Sequence, residues 1–189
     1  MKKILIGFIA IGLLTFVGCE KDDDTDTTET SSDDGSTGSD TGSDEKIAQT
    51  SQGRLDNGEE PIDIFQTGFP VDSLLGKTYK GGLIAYLDTL DGKGLITTPI
   101  DQGEFEWQIA KNTCVNLILG GYDDWYLPSK EELDKLYLSK GLIGGFTSGR
   151  YWSSSENTTN DAWGQYFSDG KQNLYNKYVS NYVRAVRAF

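Results

Sequence analysis

The 189-residue chain has a formal net charge of −12, two cysteines and no histidine. The missing histidine excludes Ser-His-Asp and Cys-His catalysis and every histidine-containing zinc site. No basic patch has the density that nucleic acid requires, so nucleic acid is not expected as a partner.

The N-terminus has the pattern of an export signal. Two lysines after Met1 precede an apolar run, Ile4 to Val17, which is too short and too closely followed by charges for a settled membrane span. The run ends at Gly18-Cys19, which resembles a bacterial lipobox. The resemblance implies that residues 1–19 are a lipoprotein signal peptide and that Cys19 carries the lipid. An ordinary signal peptide cleaved nearby is the alternative.

The segment after Cys19 is strongly acidic. From Glu20 to Lys46 it carries 11 acidic and two basic residues, a net charge of −9, so the rest of the chain after the signal region carries only −5. Its first residues, Lys21 followed by aspartates, resemble the export signal of Bacteroidota-type lipoproteins. That resemblance implies an outer-membrane location facing the cell exterior, whereas a merely solvated acidic run is the alternative.

We expect residues 20–60 to form a disordered tether and linker. Such a polar, self-repelling segment cannot bury enough apolar surface to offset the entropy lost on ordering. The first apolar signals come with Ile62 and Ile64, so we place the start of the folded domain, residues 61–189, near Pro61.

Two β-prone runs near the start of the domain predict a hairpin. They are Gly81 to Leu87 and Leu95 to Pro99, and an Asp/Gly-rich turn separates them. The first run is apolar without alternation, which predicts that at least one strand is covered on both faces.

Two helices are predicted in the middle of the chain. The first spans Glu104 to Leu119 and carries Cys114 on its apolar stripe, where we expect core packing rather than a reactive thiol. The second begins after Ser129, which forms an S-x-x-E capping box with Glu132, and it is expected to end at Gly141.

The region from Tyr151 onward holds nine of the 22 aromatic residues, interleaved with Asn, Ser, Asp and Gly. Strands are predicted at Tyr151–Ser155, Ala162–Phe167 and Tyr182–Phe189, with a hairpin turn at Ser168–Lys171 and no clear period between that turn and the last strand. Rigid rings among small polar side chains are typical of a recognition surface, whereas a β-rich core edge with polar turns is the alternative.

Charged residues near these elements have structural interpretations. Arg184 and Arg187 lie three apart on the last predicted strand and therefore point to opposite faces. We expect at least one to pair with a carboxylate, Asp124 or Glu156. Asp123 and Asp124 could bind a cation, but turn and capping roles are favoured.

Four motifs carry a family likeness. They are Asp124-Trp-Tyr-Leu-Pro-Ser-Lys-Glu-Glu-Leu133, Tyr151-Trp-Ser-Ser-Ser-Glu156, Ala162-Trp163 and Val183-Arg-Ala-Val-Arg187. In this order they resemble the Lcl C-terminal domain family, named after a collagen-like bacterial adhesin, over about Gly76 to Phe189. Tyr126 stands where the family usually has Arg, so any ion pair of that Arg must be absent or replaced.

The resemblance implies an α+β, C-type-lectin-like fold in which two helices pack on a small mixed or antiparallel sheet with long loops. It also implies adhesion or recognition at a bacterial surface, with a glycan or a protein as the ligand. Relatives of the adhesin form trimers, so a homotrimer is one expectation. The membrane would be reached only through the lipid on Cys19.

A second resemblance concerns the segment between Tyr151–Ser155 and Val183–Arg187. It is similar to the variable proteins of diversity-generating retroelements, in which Asn codons are replaced so that Asn, Thr, Ser, Asp, Gly and Tyr accumulate. A fixed binding loop is the alternative.

We place the ligand contacts between Glu156 and Asn181, where aromatic faces suit sugars and protein patches equally. The candidate ligand-binding residues are Asn157, Asn160, Asp161, Trp163, Tyr166, Asp169, Asn173, Tyr175, Tyr178 and Asn181. No metal or cofactor is expected, with calcium as the less favoured alternative, for which Asp161, Asp169 and Glu156 could supply oxygen ligands. Calcium would need clustered oxygen ligands, and the Glu-Pro-Asn and Trp-Asn-Asp signatures of calcium-binding lectins are missing.

Two alternatives to ligand binding stay open. One is a structural subunit of a cell-surface assembly, and the other is a hydrolase that uses a pair of carboxylates. Thiol chemistry of the formylglycine-generating kind needs cysteines that the domain lacks. We expect no enzymatic activity, and the carboxylate-based hydrolase is the less favoured alternative.

Overall fold

The computed structural model describes residues 49–189. The predicted signal peptide, the lipidation of Cys19 and most of the predicted tether lie outside the described residues. The helices are α1 (Ser51–Asp56), α2 (Pro61–Gln66), α3 (Trp107–Val115) and α4 (Lys130–Ile143), with a 3-10 helix at Val71–Ser73. Within residues 49–189 no helix is both long and apolar enough to cross a membrane.

Nine strands in the described residues form two sheets, which confirms the α+β class. They are β1 (Thr78–Tyr79), β2 (Gly82–Leu87), β3 (Gly94–Thr97), β4 (Gly103–Phe105), β5 (Arg150–Glu156), β6 (Asp161–Tyr166), β7 (Gln172–Asn176), β8 (Asn181–Val183) and β9 (Val186–Ala188). The strand orders are β1-β2-β3-β9 and β4-β8-β5-β6-β7. Neighbours are antiparallel except β5 and β8, which are parallel.

The folded structure begins before the boundary predicted at Pro61. Thr50 caps α1 by accepting a hydrogen bond from the Gly53 amide at 3.0 Å, and Leu55 is buried in the core. The Ser51 hydroxyl donates to the Ser73 carbonyl at 2.7 Å. The prediction of a linker through residue 60 is therefore wrong for this turn of helix, because a six-residue helix with one buried leucine shows no hydrophobic period.

Helix α3 is shorter than predicted. Its expected first residues belong to β4, where Glu104 pairs with Tyr182 of β8, so the helix starts at Trp107. Cys114 is fully buried, and burial raises the pKa of its thiol to about 12. Its predicted role in core packing is confirmed.

Helix α4 begins as predicted. The Ser129 hydroxyl accepts from the Glu132 amide at 3.1 Å, and the Glu132 carboxylate accepts from the Ser129 amide at 2.8 Å. The helix runs past Gly141 to Ile143, which is buried, and it stops at Gly144, whose φ of 75° is a left-handed conformation that favours glycine. Burial of Ile143 therefore prolongs the helix beyond the predicted end.

The last predicted strand is divided between the two sheets. Its first part, β8, lies in the five-stranded sheet and its last part, β9, pairs with β3, so Arg184 and Ala185 form the connection. Arg184 is fully buried and donates to the carbonyls of Thr98 at 2.9 Å and Gly144 at 3.2 Å. Its Nε lies 3.1 Å from a carboxylate oxygen of Asp101, a close ion pair in which neither of these two atoms makes a hydrogen bond.

Arg187 forms the predicted ion pair with Asp124. Its Nε and Nη2 donate to the two carboxylate oxygens at 2.6 and 3.1 Å, and the Arg187 hydrogen bond holds the pKa of the Asp124 carboxyl below its usual range. Glu156, the other predicted partner, pairs with Lys177 instead. At Tyr126, where the family usually has Arg, the hydroxyl donates to Glu132 at 2.8 Å.

We expect Arg184→Met to lower the free energy of unfolding at pH 7 by on the order of 3 kcal/mol, because it leaves two carbonyls and Asp101 without their donor or countercharge. Burial raises the pKa of Asp101, although Tyr151 and Arg184 act in the opposite direction. Because the folded pKa of Asp101 is raised, protonation of this carboxyl stabilises the fold, an effect that is full below the unfolded pKa of about 3.9 and is lost as pH rises. A protonated Asp101 needs no countercharge from Arg184. Urea denaturation should therefore show a smaller defect at pH 4.5 than at pH 7, and an equal defect would contradict this account.

Asp124→Asn should lower the urea midpoint at pH 7, because the buried Arg187 loses its countercharge. Since the folded pKa of Asp124 is depressed, its contribution is present above about 3.9 and is lost as pH falls through the folded pKa. Asp123→Asn is the matched control, since this substitution removes the same charge from a neighbouring, exposed residue. Equal midpoints in the two variants would show that the ion pair adds nothing to stability.

Candidate functional site

The first three residues of the Tyr151-Trp-Ser-Ser motif are buried and support the neighbouring segments. The Tyr151 hydroxyl donates to Asp101 at 2.7 Å, and the Trp152 indole donates to the Phe105 carbonyl at 2.8 Å. The Ser153 hydroxyl donates to the Trp163 carbonyl at 2.9 Å. This strand therefore has the scaffold role predicted for it, and the binding groups must come from its neighbours.

One group of predicted contact residues lies at the end of the domain where β5 leads into β6. Asn157 and Asn160 are exposed in that turn, Asp161 is half-buried at the start of β6, and Tyr178 follows β7 with 75 % of its surface exposed. The pairing of Asp161 with Asn176 brings the turn and the end of β7 together.

Lys177 holds these two segments in place. Its ammonium donates to the carbonyls of Thr158 at 2.8 Å and Thr159 at 3.0 Å, and it also pairs with the Glu156 carboxylate. Its backbone amide donates to the Asn160 carbonyl at 2.8 Å. The turn after β5 and the connection after β7 therefore form one fixed surface.

A cleft of about 340 Å³ opens beside this surface, and we call it the Lys177 cleft. Its lining residues are Glu106, Trp107, Gln108, Lys111, Glu156, Thr159, Lys177 and Tyr178. The ammonium groups of Lys111 and Lys177 each lie 4.5 Å from the centroid of the buried Trp107 ring. An exposed tyrosine, a tryptophan and charges of both signs thus converge on one concavity.

A second group of predicted residues lies on one face of the five-stranded sheet. Tyr166, Asn173 and Tyr175 share this face, because β6 and β7 pair Gly164 with Asn173 and Ala162 with Tyr175. Gly164 lies beneath Tyr175, and a Cβ there would come within 2.8 Å of the Tyr151 carbonyl oxygen and 3.1 Å of the Tyr175 ring. Only glycine fits at this position.

The remaining predicted residues do not join either group. Trp163 lies on the opposite face of the sheet, where the Lys130 ammonium is 3.6 Å from its ring centroid. Asp169 lies in the turn after β6, paired with Lys171 at 2.8 Å and roughly 20 Å of strand away from Asn160. Asn181 is 1 % exposed. The predicted contact residues between 156 and 181 therefore lie on separate surfaces, because strand β6 separates the two ends of the segment.

Several residues of the site were not predicted from the sequence. Trp107, Lys111 and Glu106 come from α3 and the residue before it, and only the tertiary structure brings them beside Lys177. Lys177 could have been singled out as one of few cations in an Asn- and Tyr-rich segment. Among the described residues, no group of three or more His, Cys, Asp or Glu side chains is placed to hold a metal ion.

The sequence model of the Lcl C-terminal domain matches residues 87–187, which is more than half of the chain. The match includes α3, α4 and every strand of the five-stranded sheet. This chain therefore belongs to the Lcl C-terminal domain family, whose membership indicates a surface-related domain. No curated protein shows significant similarity to the chain.

Lys177→Met should release the turn at residues 157–160, because it removes the charge-assisted bonds to two carbonyls. We expect amide hydrogen exchange in that turn to become at least about tenfold faster. Lys171→Met is the matched control, since it removes an exposed lysine from the opposite end of the sheet. Unchanged exchange in the Lys177 variant would show that the turn is held by its backbone alone.

Proposed function

We propose that this protein is a surface-anchored lipoprotein whose folded domain recognises a glycan or a protein through the Lys177 cleft. The observation that carries the proposal is the exposed Tyr178 ring beside a polar cleft whose two loops Lys177 locks together. A surface that is ordered before binding loses little conformational entropy when the ligand arrives. The lipid on Cys19 and an outer-membrane location facing the exterior are parts of the same proposal and rest on the N-terminal sequence pattern.

The cleft has chemistry suited to a polar ligand with some apolar surface. Lys111 and Gln108 offer donors, Glu106 offers an acceptor, and the Tyr178 ring offers a flat apolar face. Aromatic rings of this kind are frequent energetic centres of protein interfaces. Glycans, with hydroxyls around apolar ring faces, match the same set.

We also propose that the fold is C-type-lectin-like. The support comes from two helices, α3 and α4, packed against strands of a mixed sheet, and from a final strand that returns to pair with β3 near the start of the domain. In this arrangement the turn after β5 and the connection after β7, four residues each, form the end of the domain that would meet a ligand.

Two positions in the Asn-rich segment, Gly164 and Asn181, favour a fixed sequence over diversification by a retroelement. A side chain at Gly164 would collide with the Tyr151 carbonyl, and Asn181 is buried. Exposed positions such as Asn157, Thr159 and Tyr178 face no such restriction. Diversification is thus a hypothesis for the exposed loop positions only.

Two other functions are less well supported. An assembly subunit could pair through the edge strand β7, where Leu174 is 41 % exposed, but Lys171 and Lys177 flank that strand and charged flanks discourage edge pairing. A hydrolase would need two free carboxylates, and of the two in the cleft, Glu156 is engaged by Lys177.

Tyr178→Ala tests the proposed site. We expect it to weaken binding of the full chain to its best partners on a glycan array and a surface-protein array by at least about tenfold, because the ring supplies the exposed apolar contact. Leu90→Ala is the matched control, since Leu90 is 95 % exposed in the turn between β2 and β3 and does not line the cleft. Binding that survives Tyr178→Ala unchanged would exclude the cleft as the recognition site.

A further inference from the structure

Strand β7 is an open edge of the five-stranded sheet, because it pairs with β6 on one side and with no strand of residues 49–189 on the other. In an antiparallel pair, every second residue directs both its N–H and its C=O to the partner strand. The Lys171 carbonyl and the Lys177 amide, at the two ends of β7, both bond to the β6 side, so the odd-numbered residues face β6. The N–H and C=O groups of Gln172 and Leu174 therefore point away from the sheet, and no group of residues 49–189 bonds to them.

Other edges of the two sheets are covered by the chain itself. At β1 the Gln52 side chain donates to the Thr78 carbonyl at 3.0 Å and accepts from the Thr78 amide at 2.9 Å. At β9 the N–H and C=O of Val186 both bond to the backbone of Tyr126. At the opposite end of the five-stranded sheet β4 has only three residues, whereas β7 has five. Uncovered edges pair readily with other chains, so the open backbone of β7 marks it as an interaction surface.

The side chains along β7 add a preference to this edge. Leu174, at its centre, is paired with Trp163 of β6 and is 41 % exposed. The Lys130 ammonium lies 3.6 Å from the centroid of the Trp163 ring and makes no hydrogen bond or ion pair with residues 49–189. The Gln172 side chain donates to the Lys130 carbonyl at 2.9 Å, so this lysine lies at the Gln172 end of the strand. The edge thus presents an apolar side chain at its centre and a cation without an anionic partner at one end.

We propose that β7 binds an extended segment of a partner protein, which adds to the sheet as a sixth strand. The backbone of β7 selects an extended polypeptide, because only a second strand offers N–H and C=O groups at matching intervals. Leu174 selects an apolar residue beside it, and Lys130 selects an acidic residue at the Gln172 end. The partner is therefore a protein with an exposed acidic strand or an extended acidic tail that contains apolar residues.

Two segments of this same chain are the competing occupants. Antiparallel pairing of β7 with β7 of a second copy, centred on Leu174, would set Lys171 opposite Lys177 at both ends, and like charges that face each other are destabilising. The acidic segment from Glu20 to Lys46 has the right charge but contains no apolar residue to lie beside Leu174. A separate protein meets both requirements.

The experiment is residue-resolved amide hydrogen exchange of the full chain with the peptide acetyl-Thr-Val-Thr-Val-Glu-Glu-amide. We expect exchange at Gln172 and Leu174 to become at least about tenfold slower at saturating peptide, because the added strand bonds their outward amides. Exchange at Asn173 and Tyr175, which already face β6, should stay unchanged. A peptide with two lysines in place of the glutamates should bind about threefold more weakly, because it meets Lys130 with a like charge.

Three results would overturn the proposal. The first is absence of peptide binding, and the second is binding without slower exchange at Gln172 and Leu174. The third is slow exchange at these two amides before any peptide is added. If that slow exchange increases with protein concentration, the edge belongs to a second copy, and if it is independent of concentration, the edge belongs to the acidic segment of the same chain.

A pair of variants at Leu174 tests the backbone contribution. Leu174→Pro removes the outward N–H and leaves the bonds to β6 in place, and proline is tolerated where the N–H of an edge strand faces solvent. Leu174→Ala is the matched control, since it removes the apolar side chain and keeps the N–H. Calorimetric titration should show at least about tenfold weaker peptide binding to the proline variant than to the alanine variant. Equal affinities would contradict strand addition.

A second pair of variants tests the charge and does not depend on how well the proline variant folds. Lys130→Gln should weaken the glutamate peptide about threefold and should not weaken the lysine peptide. Lys93→Gln is the matched control, because Lys93 is an exposed lysine in the turn between β2 and β3. An unchanged affinity for the glutamate peptide in the Lys130 variant would exclude the acidic preference.

The proposal does not rest on the Lys177 cleft, since no residue of β7 lines that cleft. Tyr178→Ala should weaken array binding and leave the peptide-dependent slow exchange at Leu174 unchanged. Failure of one proposal is therefore distinguishable from failure of the other.

Discussion

The burial of Arg184 is the constraint on which the two-sheet arrangement depends. Its side chain lies where the chain leaves β8 in one sheet and enters β9 in the other. The guanidinium donates hydrogen bonds to the carbonyls of Thr98 and Gly144. A guanidinium with no access to water must find partners within the protein, so its neighbours are held in one arrangement. Gly145 shows how tight this is, since a Cβ there would lie 2.7 Å from the Pro99 carbonyl oxygen and 3.2 Å from Arg184 Nη2.

Cations bonded to backbone carbonyls recur in this domain. Arg187 donates to the Lys80 carbonyl, Lys140 to the Phe167 carbonyl, and Lys177 to two carbonyls of the turn after β5. Each joins segments far apart in sequence whose carbonyls have no strand partner at that point. Arg150 departs from the pattern, because its guanidinium lies beside the rings of Tyr166 and Tyr175 and makes no hydrogen bond to a carbonyl within residues 49–189.

Local signals predicted the parts of the fold that depend on local chemistry. The capping box at Ser129, the hairpin of β2 and β3 and the buried position of Cys114 needed only spacing and side-chain type. Strand β7 was missed because its residues are mostly exposed and polar, so no apolar alternation marks it. The division of the last strand was missed because the residues on either side of Arg184 continue one pattern while pairing with different sheets.

The sequence by itself determined the family, the α+β class and the segment in which polar and aromatic residues gather. It could not determine which of them meet, since that depends on strand pairing across long separations in the chain. Only the tertiary structure brought Trp107 and Lys111 beside Lys177, buried Asn181 and turned Trp163 towards α4. A residue type shows what contact a side chain can make, whereas its burial and its neighbours, which come from the packing of the two sheets, decide what contact it does make.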